Sequence, residues 1–256
     1  MKKAEKYAAQ QLRSIDYLLR KPANTYKSVT IHRLRVRIKK IHTLLRFLNY
    51  CFEDFKMKKI FDPFDQLFHQ AGEIRELQLE EAKLKKYFSK NSLPGYKIVL
   101  KKDQARSKKL FFSTLDKIRP VLLKKTKEYL EPYIKKIKRQ DIKNYIKKNR
   151  NEIREIVTRG LSENKKIHEL RKQLKNLQYI QKATRTNNKS KLIPKADILS
   201  DLLGKWHDHR MIIKRLEDFN SKKIRATEKR ELKKIKLNFI SKAAFFLAQA
   251  SEKLPY

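Results

Sequence analysis

The chain has 256 residues, of which 66 are Lys or Arg and 27 are Asp or Glu, giving a formal charge of +39. Such an excess lies far beyond what solubility asks of a domain, and it calls for a polyanionic partner: nucleic acid, an anionic membrane surface or inorganic polyphosphate, each able to release condensed counterions on binding. With 40% apolar residues, 13 Phe and 11 Tyr the chain can bury a real core, which excludes a disordered basic tail, and its single cysteine, Cys51, excludes an intrachain disulfide and a Cys-based zinc site.

The N-terminus, Met1-Lys2-Lys3-Ala4-Glu5-Lys6, opens an amphipathic stretch that contains acids and lacks the apolar core of a signal segment. No apolar run reaches the ~18 residues of a membrane span. The expectation is a soluble, unprocessed protein of the cytoplasm. Four Gly and seven Pro leave few places to turn, and β-branched alternation is confined to scraps such as Tyr96 to Leu100, so an all-α fold of long helices is expected. Breakers fall at Pro22, Asp62-Pro63, Ser92-Leu93-Pro94-Gly95, Pro120, Pro132, Gly160 and Pro194. Between them lie amphipathic segments of about 15 to 30 residues, the size of bundle helices. Ser28 and Ser162 read as N-caps, and Asp62-Pro63 as an N-cap followed by Pro at the first helical position.

Residues 31 to 41 read Ile-His-Arg-Leu-Arg-Val-Arg-Ile-Lys-Lys-Ile, and residues 167 to 177 read Ile-His-Glu-Leu-Arg-Lys-Gln-Leu-Lys-Asn-Leu. One pattern, I-H-x-L-R-x-x-[IL]-K-x-[IL], is thus written twice. Downstream of each copy a glycine stands four residues ahead of an acid, Gly72 before Glu76 and Gly204 before Asp208. Glycine inside a helix costs about 1 kcal/mol relative to Ala, so its use predicts a close helix crossing or backbone approach. The four segments imply one domain over 1–256 made of two similar halves, 1–127 and 128–256, joined near Pro120 to Pro132.

At about 100° per residue, His32, Arg35, Lys39, His42 and Arg46 share an arc of about 80° on one helix. Ile31, Leu34, Ile38, Ile41, Leu45 and Leu48 occupy the neighbouring arc. In the second copy His168, Arg171, Lys175, Gln178 and Lys182 take the same angular places beside Ile167, Leu170, Leu174 and Leu177. Cations bordering a core seam belong in a groove or cavity wall, and about 21 Å of helix suits several units of a linear phosphate chain. Arg offers a bidentate fork to phosphate, Lys a mobile point charge, and His a donor whose charge responds to pH.

These residues resemble the CHAD family, helical domains whose halves each begin with a motif like H-x-x-R-V-x-x-R-R. Residues 30 to 40 are close to that signature, residues 167 to 175 look like its second copy, and residues 202 to 208, Leu-Leu-Gly-Lys-Trp-His-Asp, are similar to the family's L-G-x-x-x-D segment. The resemblance implies two antiparallel helical bundles related by a pseudo-twofold axis, with a basic central surface that binds inorganic polyphosphate and targets the protein to polyphosphate granules. Carried over, the binding set is His32, Arg35, Arg37, Lys39, Lys40, His168, Arg171, Lys172 and Lys175, to which the helical stripes add His42, Arg46 and Lys182. The chain departs from the family at Lys39 and Lys40, where Arg is frequent, and at Arg75-Glu76, where an R-D pair is expected. Family members are often fused to a triphosphate-tunnel hydrolase domain, and no E-x-E-x-K sequence marks one here.

Two further readings stay open on the residues themselves. Net charge alone gives non-specific nucleic-acid binding in vitro, although finger spacing and RNP-like aromatics are absent and Phe47, Phe52, Phe68, Tyr179 and Trp206 fall in core-like register. His207-Asp208 is the dipeptide of HD-type metal phosphohydrolases, for which His168 and Asp218 would have to complete a metal site. A peripheral membrane role fits less well, because the Lys residues are spread over the whole chain. The sequence as a whole favours a polyphosphate-binding protein without catalytic residues, metal or cofactor, and without membrane insertion.

Overall fold

Ile31, Leu34, Ile38, Ile41, Leu45 and Leu48 are each at most 1% exposed in the computed structural model, so the apolar arc of the first motif faces the core over its full length. Residues 2–161, 163–184, 196–219 and 224–254 are described, and no strand occurs among them. The helices are α1 (Lys2–Leu19), α2 (Ser28–Cys51), α3 (Met57–Ser89), α4 (Pro94–Lys136), α5 (Arg139–Thr158), α6 (Asn164–Thr184), α7 (Ala196–Asp218) and α8 (Ala226–Ser251), with a short 3-10 turn at Ala23–Thr25. Helices consecutive in the chain pack together as in an antiparallel bundle: α1 on α2, α2 on α3, α3 on α4, α5 on α6 and α7 on α8.

The helices that carry the repeated segments meet one another. Motif-bearing α2 packs on motif-bearing α6, and α3 with Gly72 packs on α7 with Gly204. At the outer edge Glu228 of α8, itself buried, accepts from the backbone N–H groups of Gly95 (2.8 Å) and Tyr96 (3.3 Å) in the first turn of α4. A carboxylate there satisfies donors that have no partner inside their own helix and complements the positive helix end.

Three breakers act as the sequence reading expects. Pro22 precedes the 3-10 turn, Ser92 and Leu93 separate α3 from α4 after Asn91 in the left-handed region (φ 51°), and Gly160 takes φ 77° just past α5. Others do not. Pro63 lies inside α3, and Asp62 is no N-cap. Pro120 and Pro132 both lie within the 43-residue α4, so a boundary between residues 127 and 128 falls in mid-helix, and the chain turns instead at Ile137 and Lys138. A proline removes one N–H and crowds the carbonyl four residues back. Here Lys59 and Glu128, which precede Pro63 and Pro132 by four, stand on exposed positions, where water can take the orphaned carbonyl, while Phe61, Phe64, Leu130 and Ile134 beside the two prolines are buried and hold each helix in place. Ser28 is the first residue of α2 and Lys27 its cap, without a side-chain bond; Ser162 and Pro194 lie outside the described residues.

Candidate functional site

Along α2, His32, Arg35 and Lys39 follow one another by a turn, and all three line a cavity of about 800 Å³. Arg171 enters it from α6, Arg75 and Glu76 from α3, and His207 and Asp208 from α7. The α2–α6 and α3–α7 contacts therefore bring one Arg from each motif copy to one space. One side is lined by an ionic cluster in which Arg215 of α7 forms an ion pair with Glu80 of α3 (Nε to Oε2, 2.6 Å) and donates a hydrogen bond to Asp103 of α4 (Nη2 to Oδ2, 2.5 Å), while Tyr96 donates its hydroxyl to Glu80. Glu80 is buried, and burial raises its pKa against the pull of Arg215. A buried carboxylate so surrounded belongs to the structure of the wall.

Arg35 is held in place from three directions. Its Nη1 donates to the Phe68 carbonyl at 3.1 Å, its guanidinium lies over the Phe68 ring with Cζ 4.4 Å from the centroid, and it rests against the bare backbone of Gly72. Lys39 Nζ stands 5.6 Å from the same ring, so Phe68 underlies two cations of the cavity, at the distances where a ring face attracts them. Arg75 donates to Ser28 Oγ at 2.5 Å, which is what the hydroxyl does instead of capping. Arg171 has a buried Nε without a hydrogen-bond partner among the described residues.

Electrostatically the cavity is overloaded with positive charge at the α2–α6 end. Burial, then Arg171, Arg35 and Lys175, bring the Lys39 ammonium down to about 8. Burial and then Arg75, Lys39 and Arg35 lower the His32 imidazole, and burial with Lys172 and Arg171 lowers that of His168. His207, whose ring centroid lies 4.9 Å from that of His168, is pressed by burial, Arg171 and His168 to about 3. Against these cations stand Glu76 and Asp208, each raised by burial although Arg35 draws the first down and Arg171 and Arg75 draw down the second. Cations outnumber these two carboxylates at this end, and a bound polyanion would make up the difference.

The remaining residues of the sequence-derived set part company. His168 lies beside the cavity against His207, and Lys175 Nζ is 3.8 Å from Asp201. Lys172 points out to pair with Glu169 at 3.6 Å. His42 stacks on Phe61 of α3, ring centroids 4.2 Å apart, with burial and then Arg46 bringing its imidazole to about 4; neither His42 nor Arg46 lines the cavity. A helical wheel gives direction but not cover, and Phe61 of α3 covers the His42 ring. Arg37, Lys40 and Lys182 line a different cavity, between α1, α2 and α6, because Lys40 is turned about 100° from Lys39. Arg75, Glu76, Arg215, Glu80 and Asp103 were absent from the set, although the repeated spacing from glycine to acid had already marked α3 and α7.

Among the described residues no group of three or more His, Cys, Asp and Glu side chains could hold a metal ion, and no helix is long and apolar enough to cross a membrane. His207-Asp208 lies within α7, with His207 facing His168 and Asp208 serving Arg171 and Arg75. Trp206, Phe47, Phe52 and Phe68 are buried or packed on the core, as expected. The family model described as CHAD domain matches residues 6–217, most of the chain and all of the cavity apart from Asp218 and Phe219. No curated protein matches the chain.

Proposed function

The chain belongs to the CHAD family, and on that premise we propose that it binds inorganic polyphosphate in the cavity between α2, α3, α6 and α7, without catalysing a reaction. The observation that carries the reading is the convergence of Arg35 and Lys39 from one motif copy with Arg171 from the other on a single cavity of about 800 Å³. Arg35 is pre-positioned by Phe68 and Gly72, so little of its side-chain freedom is left to lose on binding. Arg171 brings a buried Nε donor without a partner among the described residues, and Lys39 gains a neutralising neighbour. His32 and His207 are more readily neutral than charged and act as hydrogen-bond donors or acceptors in the cavity wall. The pseudo-twofold relation between α1–α4 and α5–α8 belongs to the same reading, with α2 and α6 as equivalent walls. So do a cytoplasmic location and association with polyphosphate granules.

Nucleic acid is the competing ligand, favoured by the net charge of +39. A helix-lined cavity admits a thin, flexible chain with a charge on every phosphate more readily than a stiff duplex, whose affinity would rest on outer lysines alone. The deciding experiment is competition between long-chain polyphosphate and duplex DNA at equal charge concentration and physiological salt. Polyphosphate should displace DNA, and displacement in the opposite sense would make the protein a nucleic-acid binder.

A further inference from the structure

We propose that the outward face of α8 docks on an anionic lipid bilayer, lying along its surface with the apolar side chains of its second half among the acyl chains and the cations of its first half on the headgroups. Leu232, Ile235, Phe239 and Ala243 turn inward, and α8 packs along α7. On the opposite side Leu237 is 56%, Ile240 39% and Phe245 57% exposed. Single apolar side chains on a surface are ordinary, but three close together on one helix face form a patch that calls for a partner. Residues 237–251 contain a single charged residue, Lys242, in a chain that is 36% charged. The exposed Ala244 and Ala248 add no polarity to this half of the helix.

Charge selects the partner. At about 100° per residue, the exposed Arg230, Lys233 and Lys234 share an arc of about 140° with Leu237, Ile240, Ala244, Phe245 and Ala248. Glu228 and Glu231, the acids of the helix, fall outside that arc. A basic block followed by an apolar patch on one helix face supplies the two signals that stable attachment to an anionic membrane needs, electrostatic attraction and apolar burial. The face is also held firmly. Phe245 meets Phe246 edge to face with centroids 5.6 Å apart, and Phe246 and Phe239 pack on the buried His209 of α7 at 5.3 and 5.4 Å. A second copy of the chain is a poorer occupant: it would bring another charge of +39, and three partly exposed side chains offer well under the ~800 Å² per partner of a standard interface. A lipid surface needs no groove and yields to a convex ridge. Among the described residues no helix could cross the bilayer, so α8 lies on it. Lysines spread over the whole chain conceal this face in the sequence, because only the folded helix sets cationic and apolar side chains on one arc. No residue of α8 lines the cavity proposed for polyphosphate, and the two readings can fail independently.

Co-sedimentation of the full chain with vesicles of phosphatidylcholine and phosphatidylglycerol in equal parts, at physiological salt, tests the assignment. Ile240→Gln with Phe245→Gln removes the apolar patch without changing charge, and Lys233→Gln with Lys234→Gln removes the basic block. Ile98→Gln with Leu110→Gln and Lys108→Gln with Lys109→Gln make the matching changes at exposed positions of α4. Each α8 variant should bind the vesicles at least about tenfold more weakly than the wild type, while the α4 variants keep its affinity. If the apolar variant of α8 binds like the wild type, adsorption follows from net charge and the proposal fails. It fails equally if the basic variant loses no more than its α4 counterpart. Phe245→Trp gives a direct reading of contact. With this variant, lipids brominated on their acyl chains should quench tryptophan fluorescence well beyond what they quench in the wild type, whose one tryptophan, Trp206, is buried; equal quenching overturns insertion. Sedimentation velocity without lipid covers the remaining occupant, since a wild-type dimer that the apolar variant of α8 breaks into monomers would assign the face to a second copy and overturn the proposal.

Discussion

Arg35 occupies the space that a β-carbon on Gly72 would need. The overlap falls on Nη1 of the guanidinium, with Cζ at 3.2 Å from the same point. Gly204 holds the matching place in α7, yet there the nearest atom is Nε of Arg171 at 4.0 Å, an ordinary contact. Two glycines in equivalent places of a repeat therefore do different work. The first lets a cation lie flat against a helix, and the second leaves room.

Gly72→Ala and Gly204→Ala should accordingly diverge. Each gains helix propensity, up to about 1 kcal/mol. At position 72 the added methyl pushes Arg35 off the Phe68 carbonyl. Since the displaced group is the end of a flexible side chain, the fold should survive and polyphosphate affinity should fall by about tenfold, the worth of a hydrogen bond to a charged group. At position 204 stability should rise and affinity should stay. Denaturant unfolding together with polyphosphate titration checks both, and equal behaviour of the two variants would remove Arg35 from the binding set.

Charge reversal separates site from net charge. Arg35→Glu with Lys39→Glu should weaken polyphosphate binding about as much as Arg171→Glu with Lys175→Glu, and far more than Lys233→Glu with Lys234→Glu. His42→Phe should leave affinity unchanged at every pH, because its ring is stacked on Phe61 and held near-neutral by burial. Filter-binding titrations of the four variants decide the matter. A control as damaged as the two site variants would make binding a property of total charge.

Much of the fold is legible in the sequence because burial follows periodicity. The apolar arcs at Ile31 to Leu48 and Ile167 to Leu177 are buried where the spacing puts them. Prolines misled where tertiary contact outweighed a local cost, as at Pro63 and Pro132, each flanked by buried apolar residues in its own helix. The angular stripe on α2 groups His32, Arg35 and Lys39, which line one cavity, but the stacking of His42 on Phe61 of α3 is a tertiary contact that a helical wheel does not show. Arg37 and Lys40 belong to another wall of the same helix, a division that a linear motif does not express.

Lys39 predicts a basic limb in the pH dependence. Its ammonium is lowered to about 8 in the free protein, first by burial and then by Arg171, Arg35 and Lys175. A bound polyanion favours the charged form, so the pKa is higher in the complex. Affinity should therefore be level below about pH 8 and fall as pH climbs above that value. In the free protein the sign for stability is opposite: the depressed ammonium is destabilising while charged, and the penalty is relieved as pH rises from the folded towards the unfolded value. Lys39→Arg keeps the charge at all these pH values and should flatten the basic limb of the affinity curve. A limb that persists in the Arg variant would assign it to other lysines.

His32 and His168 hold equivalent places in the two motifs, where Arg or Lys would have given a permanent charge. Both imidazoles are lowered in the free protein, by burial first, then by Arg75, Lys39 and Arg35 around His32 and by Lys172 and Arg171 around His168. Glu169 and Asp208 act the other way and do not prevail. The free folded chain thus resists protons that the unfolded chain accepts, and its stability falls as pH drops through the ordinary His value of about 6.5. Polyphosphate reverses the local sign of charge and raises both imidazoles above their free-state values. Affinity should then increase as pH falls through the interval between bound and free values, and level off below the free-state value, since both states are by then fully protonated. Replacing His32 and His168 together with Gln keeps a hydrogen-bonding head but removes the proton site. The double variant should bind polyphosphate with an affinity that no longer rises between about pH 7 and pH 5, the range in which His titrates, while its value at neutral pH stays near that of the wild type. Titrations at a series of pH values on both proteins are the check. A full acid rise in the double variant would mean that the two imidazoles are neutral props that orient their Arg neighbours, and that another group senses the proton.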